Sequence, residues 1–199
     1  MVSIITGNIL KSNKVDQEKW LKELRDVLNG YGSNPGDWEI FKNDHFMLKV
    51  DAENSLRAAI HIKAAMTNLK PLRVKIGIGI GDIASLSQKI TMATGSAMLR
   101  SSNCYEKLRK RNLGIQSGNK RNDALINLMF DLSALSMDAW SSVAAGVVRK
   151  ALENPQATQS DLADMLGITQ SNISRGLKRA GFEEVMRMND YYKEIIHQN

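Results

Sequence analysis

Residues 159–177 read Gln-Ser-Asp-Leu-Ala-Asp-Met-Leu-Gly-Ile-Thr-Gln-Ser-Asn-Ile-Ser-Arg-Gly-Leu, and they constrain the fold more than any other stretch. Leu162, Ala163 and Leu166 supply the apolar face of a short helix, with Ala163 small where a second helix would cross. Gly167 falls where a tight turn needs a positive φ. Ile168 plugs the turn, and Thr169 is a natural N-cap for the next helix. Ile173 and Leu177 turn that helix's buried face back onto the first. The pattern is a helix-turn-helix over 159–180, completed to three helices by a preceding helix at 138–153. It makes Thr169, Gln170, Ser171, Asn172, Ser174, Arg175 and Lys178 the candidate DNA-binding residues. They are donors and acceptors of the kind that read base edges, plus cations for phosphate. One such unit contacts few base pairs, so the expected partner is double-stranded DNA held by a homodimer.

Charge is consistent with a polyanionic partner, although its placement is uneven. The net charge is +6. Residues 151–199 hold five Lys/Arg and seven Asp/Glu, a balance of −2, so the first 150 carry +8. Two basic clusters stand out, Lys107, Arg109, Lys110 and Arg111, then Lys120 and Arg121. Such runs serve nucleic acid or nucleotide binding, or simply solvate a helix face. The single cysteine, Cys104, excludes an internal disulfide and a multi-cysteine metal site. No apolar run reaches the roughly 18 residues of a membrane helix, and the amino-terminal residues lack a secretory pattern. A reducing, cytoplasmic setting with no membrane contact is the expectation.

The first half alternates strands and helices. Residues 1–9 suit a buried strand. Trp20, Leu21, Leu24, Val27, Leu28 and Tyr31 give a helix over 15–31 an apolar face. Runs at 38–41 and 45–50, separated by Lys42-Asn43-Asp44, have a hairpin signature. Asp51 is the expected N-cap of a helix striped by Ala59, Ile62, Met66 and Leu69, with Pro71 beyond its end. Residues 73–83 are the clearest strand. Val74, Ile76, Ile78 and Ile80 share one face; Lys75, Gly77, Gly79 and Gly81 share the other. A glycine face lets a helix, another backbone or a ligand come close. A polar loop at 84–94, a helix at 96–112 and a last strand at 114–117 follow. The order β-α-β-β-α-β predicts an α+β fold, a ferredoxin-like or palm sheet with two helices on one face. Beyond Gly118 the pattern is helical. Leu125, Leu128, Met129, Leu132 and Leu135 mark one helix; Trp140, Val143, Ala144, Val147, Val148, Ala151 and Leu152 mark the next, broken at Asn154-Pro155. Strands followed by helices predict two units, a palm-like domain at 1–118 and a helical domain at 119–199.

Ile5-Thr-Gly-Asn-Ile9 with Ser12, the hairpin around Asp44, Gly-Ile-Thr-Gln-Ser-Asn-Ile-Ser-Arg-Gly-Leu-Lys-Arg-Ala-Gly-Phe at 167–182 and Tyr191-Tyr192 together resemble the SatD family. That bacterial group has a small palm-like domain and a carboxy-terminal helix-turn-helix. The amino-terminal half also resembles, distantly, a class III nucleotidyl cyclase palm. The resemblance implies a first-strand carboxylate and a hairpin carboxylate holding two metal ions that bind a triphosphate. Asp44 matches the hairpin position. Asn8 stands where the first carboxylate belongs, and its uncharged amide is a poor ligand for two divalent ions. Lys11 replaces a small residue after the first strand. Asn8, Lys11, Ser12, Lys14 and Asp44 are therefore candidate contacts for a nucleotide or other small phosphorylated ligand, with no catalytic or metal-binding residue assigned.

Other chemistry is thin. No phosphate-binding Gly-x-x-x-x-Gly-Lys-Ser/Thr loop is present, and the glycines at 77, 79 and 81 lack dinucleotide spacing. His45 reads as a surface residue beside Asp44, and Cys104 as a small core residue. Three readings follow. One is a DNA-binding transcriptional regulator whose palm domain senses a ligand or dimerises. Another is a nucleotidyl cyclase or nucleotidyltransferase-like enzyme, needing Mg²⁺ and a nucleotide, with an attached helix-turn-helix. The third is an interaction module that binds no nucleic acid. The first needs no cofactor, and Asn8 counts against the second.

Overall fold

A computed structural model describes residues 1–85 and 88–198. β1 (Val2–Leu10), β2 (Trp38–Phe41), β3 (His45–Asp51), β4 (Arg73–Gly81) and β5 (Leu113–Gln116) form one sheet of order β2-β3-β1-β4-β5. The first four strands are antiparallel to their neighbours, the ferredoxin-like order, and β5 adds in parallel to β4. Lys42 and Asn43 take positive φ, 47° and 70°, and turn the hairpin between β2 and β3. The fold is α+β, a sheet followed by helices, as the element order predicts.

The two faces of β4 have different neighbours because their side chains differ in size. Val74, Ile76, Ile78 and Ile80 are buried beneath α1 (Gln17–Asn29) and α2 (Ser55–Asn68). On the other face α3 (Ser96–Lys107) lies directly against the glycines. A Cβ on Gly79 would stand 2.1 Å from the Ser101 amide nitrogen, and one on Gly77 2.5 Å from that of Tyr105. Thr6 and Ser101 share a buried hydroxyl hydrogen bond of 3.0 Å across the same interface. The glycine face is thus filled by a helix and is closed to the flat or phosphorylated ligand that the sequence admits there.

Local boundaries shift for local reasons. Asp51 does not cap a helix: it ends β3, pairs with Val2, and precedes a short 3-10 turn. α2 starts at Ser55, whose hydroxyl donates to Ala52 O at 2.9 Å. α1 begins two residues late, capped by the Asp16 carboxylate on the Lys19 amide. α3 ends at Lys107 rather than 112, and Arg109 adopts φ 46° in the turn that follows. The polar loop expected at 84–94 includes residues 86 and 87, which lie outside the described residues.

The carboxy-terminal helices are α4 (Lys120–Met137), α5 (Ser142–Glu153), α6 (Gln159–Leu166), α7 (Gln170–Ala180) and α8 (Phe182–His197). The change from sheet to helices at 118–119 is not a break in packing. One apolar cluster runs from Ile5 and Leu24 through Ile60 and Ile62 to Ala145, Val148 and Tyr192. α2 is buried nearly all round because α5 covers the side away from the sheet. Tyr192 donates to Ala52 O at 2.8 Å and lies 2.6 Å from Ser55 Oγ. Arg149 of α5 pairs with Glu23 of α1. The sheet at 1–118 and the helices at 119–199 thus share one apolar cluster. Among the described residues no helix is long and apolar enough to cross a membrane.

α4 forms over the expected leucines but does not bury them. Ile126, Phe130 and Met137 face the core, whereas Leu125, Leu128, Leu132 and Leu135 are 41%, 56%, 60% and 79% exposed.

Candidate nucleic-acid interface

The helix-turn-helix is built by local rules that the structure displays one by one. Thr158 and Asp161 form a capping box that starts α6. Gly167 ends α6 at φ 63° in the left-handed region, with open space around it, so backbone conformation rather than room requires glycine there. Thr169 Oγ1 accepts from the Asn172 amide at 3.3 Å and caps α7. Leu162, Ala163 and Ile173 form a small core with Val147 of α5. Gly176 belongs to the same inner face: a Cβ there would lie 3.2 Å from Val147 Cγ2. The sequence reading passed over Gly176, although its place three residues after Ile173 is the available signal.

All seven candidate DNA-binding residues are exposed: Thr169 as the cap that precedes α7, and Gln170, Ser171, Asn172, Ser174, Arg175 and Lys178 on one continuous side of the helix. The helix is otherwise buried at Ile173, Gly176 and Ala180. Arg175 Nη2 donates to Asn172 Oδ1 at 2.7 Å and its Nε to Ser171 O at 3.2 Å, which lays the guanidinium along the helix surface. Gln170 donates to Gln159 at 3.0 Å and ties the start of α7 to the start of α6. Gln159 and Arg179, both exposed, join this face although the sequence reading did not single them out. Among the described residues no acid lies on α7 itself. The negative balance of residues 151–199 resides elsewhere, on α5, α6 and α8.

The far end of α7 is anchored to α4 and the segment after it. Ser136 Oγ and Trp140 Nε1 both donate to Ala180 O at 2.8 Å. Beside this joint a groove of about 530 Å³ opens between α4 and α8, floored by Met129, Val185 and Met188 and edged by Lys178 and Arg179.

The candidate phosphate-binding residues converge only in part. Asn8 and Asp44 lie at one end of the sheet, and Ser12 donates to Asp44 at 3.4 Å. Lys11 and Lys14 are exposed on the short turn after β1. The same corner contains His45, which the sequence already places beside Asp44, and two residues the sequence did not join to it, Tyr105 and Lys75. His45 Nδ1 lies 2.8 Å from Asp44 Oδ1, Tyr105 OH donates to Asn8 Oδ1 at 2.8 Å, and Lys75 Nζ sits 5.2 Å from the Tyr105 ring centre. Burial and then the Asp44 charge raise the Tyr105 phenol above its ordinary value, so it remains a donor. This donor set does not fit two divalent ions. Asn8 offers an amide oxygen already taken by Tyr105, and Asp44 supplies a carboxylate that already accepts from Ser12. Among the described residues no three His, Cys, Asp or Glu side chains group as metal ligands. Burial pushes the Cys104 thiol up to about 11, which keeps it protonated.

No protein-family model, curated protein or solved structure matches the chain.

Proposed function

We propose that the chain is a DNA-binding transcriptional regulator, in which α7 reads duplex DNA and the sheet domain is the platform that holds it. One observation carries this reading: α7, capped by Thr169, presents Gln170, Ser171, Asn172, Ser174, Arg175, Lys178 and Arg179 outward from a helix whose inner face is locked on α5 and α6. A helix mounted this way projects amides, hydroxyls and a guanidinium at the depth of a major groove. The resemblance to the SatD family, drawn from residues 167–182 and the order of the chain, agrees with it. The corner at Asn8 and Asp44 suits a contact with a small phosphorylated ligand through Lys11, Lys14 and Lys75 better than it suits phosphoryl chemistry.

Genome-wide capture of bound DNA tests the proposal, followed by titration of the enriched site at several salt concentrations. A defined motif and an affinity that falls with salt are expected, because each neutralised phosphate releases counterions. Arg175→Ala weakens binding to all sequences if it meets phosphate. If it reads a base, discrimination at one position falls by about 1–3 kcal/mol. Unchanged binding by both Arg175→Ala and Asn172→Ala removes α7 as the reader.

A further inference from the structure

We infer that the chain pairs with a second copy of itself through α4, the two helices lying antiparallel along their leucine stripes. The exposed positions on α4 are Lys120, Arg121, Ala124, Leu125, Leu128, Leu132 and Leu135, with Ala139 just beyond its end. The positions 121, 125, 128, 132, 135 and 139 alternate steps of four and three, the spacing of a two-helix seam. That series is also a palindrome about residue 130. Turning a second helix end for end sets Leu125 opposite Leu135 of the second copy and Leu128 opposite its Leu132. A two-fold interface requires this self-complementarity, since each contact must occur twice. A contact with an unrelated helix would not.

Charge favours the same orientation. α4 begins with Lys120 and Arg121, cations at the helix end where the macrodipole disfavours them, and its last turn has no cation of its own. Antiparallel pairing lays each Lys120-Arg121 beside the carboxy-terminal carbonyls of the other α4, where cations are favoured. A parallel pair would set the four cations together. Between these ends the stripe itself is leucine, with the Asp131–Arg111 ion pair at its flank, and its apolar surface widens at Leu132 into the groove floored by Met129 and Met188. Apolar surface of this continuity marks an interaction site on a folded protein.

The joint at Ala180 gives the pairing a consequence. Ser136 and Trp140 fasten α7 to the end of α4, so a fixed α4 pair fixes the separation and two-fold relation of the two α7 helices. In that respect the inference deepens the DNA-binding reading, but its test needs no DNA. Sedimentation of the purified chain at micromolar concentration is expected to give twice its 22.1 kDa mass. Leu128→Glu with Leu132→Glu is expected to give a monomer with unchanged helical circular dichroism, since neither residue is in the core. Leu125→Cys chains mixed with Leu135→Cys chains of different tag mass are expected to form the mixed disulfide several-fold faster than either forms its own. A monomeric unmodified chain, a doubly substituted chain that stays dimeric, or preferential Leu125→Cys self-linkage overturns the inference. A monomer that still binds a defined DNA motif defeats the interface and spares the reader; a dimer that binds none does the reverse.

Discussion

Gly79→Ala tests how the sheet is covered, and its cost follows from the geometry. The added Cβ would lie 2.1 Å from Ser101 N, 2.3 Å from Ala97 O and 2.7 Å from Ser101 Cα. Ordinary contact between such atoms is about 3.5 Å, so α3 has to retreat by more than about 1 Å. All three opposing atoms are backbone, and no side-chain rotation relieves them. Overpacking of this kind costs about 1–3 kcal/mol. The retreat also stretches the buried Thr6–Ser101 hydrogen bond of 3.0 Å, worth about 1 kcal/mol. Against this, alanine gains about 0.5–1 kcal/mol over glycine in the unfolded-chain entropy. The net loss is about 1–3.5 kcal/mol, or a fall in Tm of about 2–14 °C for a chain of this size. Calorimetry or thermal circular dichroism reads it directly. Gly36→Ala, which meets nothing within 4 Å at a φ outside the left-handed region, is the control and should stay close to the parent. If Gly79→Ala leaves Tm within the error of that control, α3 is not seated on the glycine face. That face is then open to a ligand after all.

Two further outcomes follow from side chains the structure explains. Thr169→Ala removes the cap on α7 and should lower stability by about 1 kcal/mol; a thermal melt together with DNA titration checks it, and a stability equal to the parent refutes the cap. His61, buried against Tyr31 with Glu153, Arg149 and Arg57 around it, has its pKa pulled below 6.5 chiefly by burial. The unfolded chain therefore binds this proton first, so its contribution is present above pH 6.5 and is lost as pH falls below that value. Tm should drop between pH 7.5 and 5.5, by less in His61→Gln; an equal drop in both would assign the pH dependence to other groups.

Much of the molecule was legible because it depends on local chemistry. The helix-turn-helix rests on Gly167 in a left-handed turn, the Thr169 cap and a three-four spacing of apolar residues, each a property of a few adjacent residues. The outward face of α7 follows from that spacing as its complement. The hairpin around Asp44 and the strand, read over 73–83 and observed over Arg73–Gly81, are legible for the same reason, as turn formers and a period of two. The reading stays open, or fails, where a pattern names a face but not its neighbour. Glycine at 77, 79 and 81 announces close approach without saying of what, and α3 comes from residues outside the strand. Asp51 looks like a cap in isolation, but its pairing with Val2 keeps it in the sheet.

The amino-acid order alone determined the element types, their succession and the residues that α7 turns outward, because hydrophobic period, capping and left-handed turns act over a few residues. Tertiary structure decided which of the two apolar sides of α4 is covered. Ile126, Phe130 and Met137 entered the core while the leucines stayed outside, since β5 and α8 offer one seat and the helix has two candidate faces. It also brought Tyr192 onto Ser55 and Ala52, a contact spanning most of the chain, and so merged the halves into one core. Periodicity cannot specify such contacts, because burial is settled between surfaces distant in sequence.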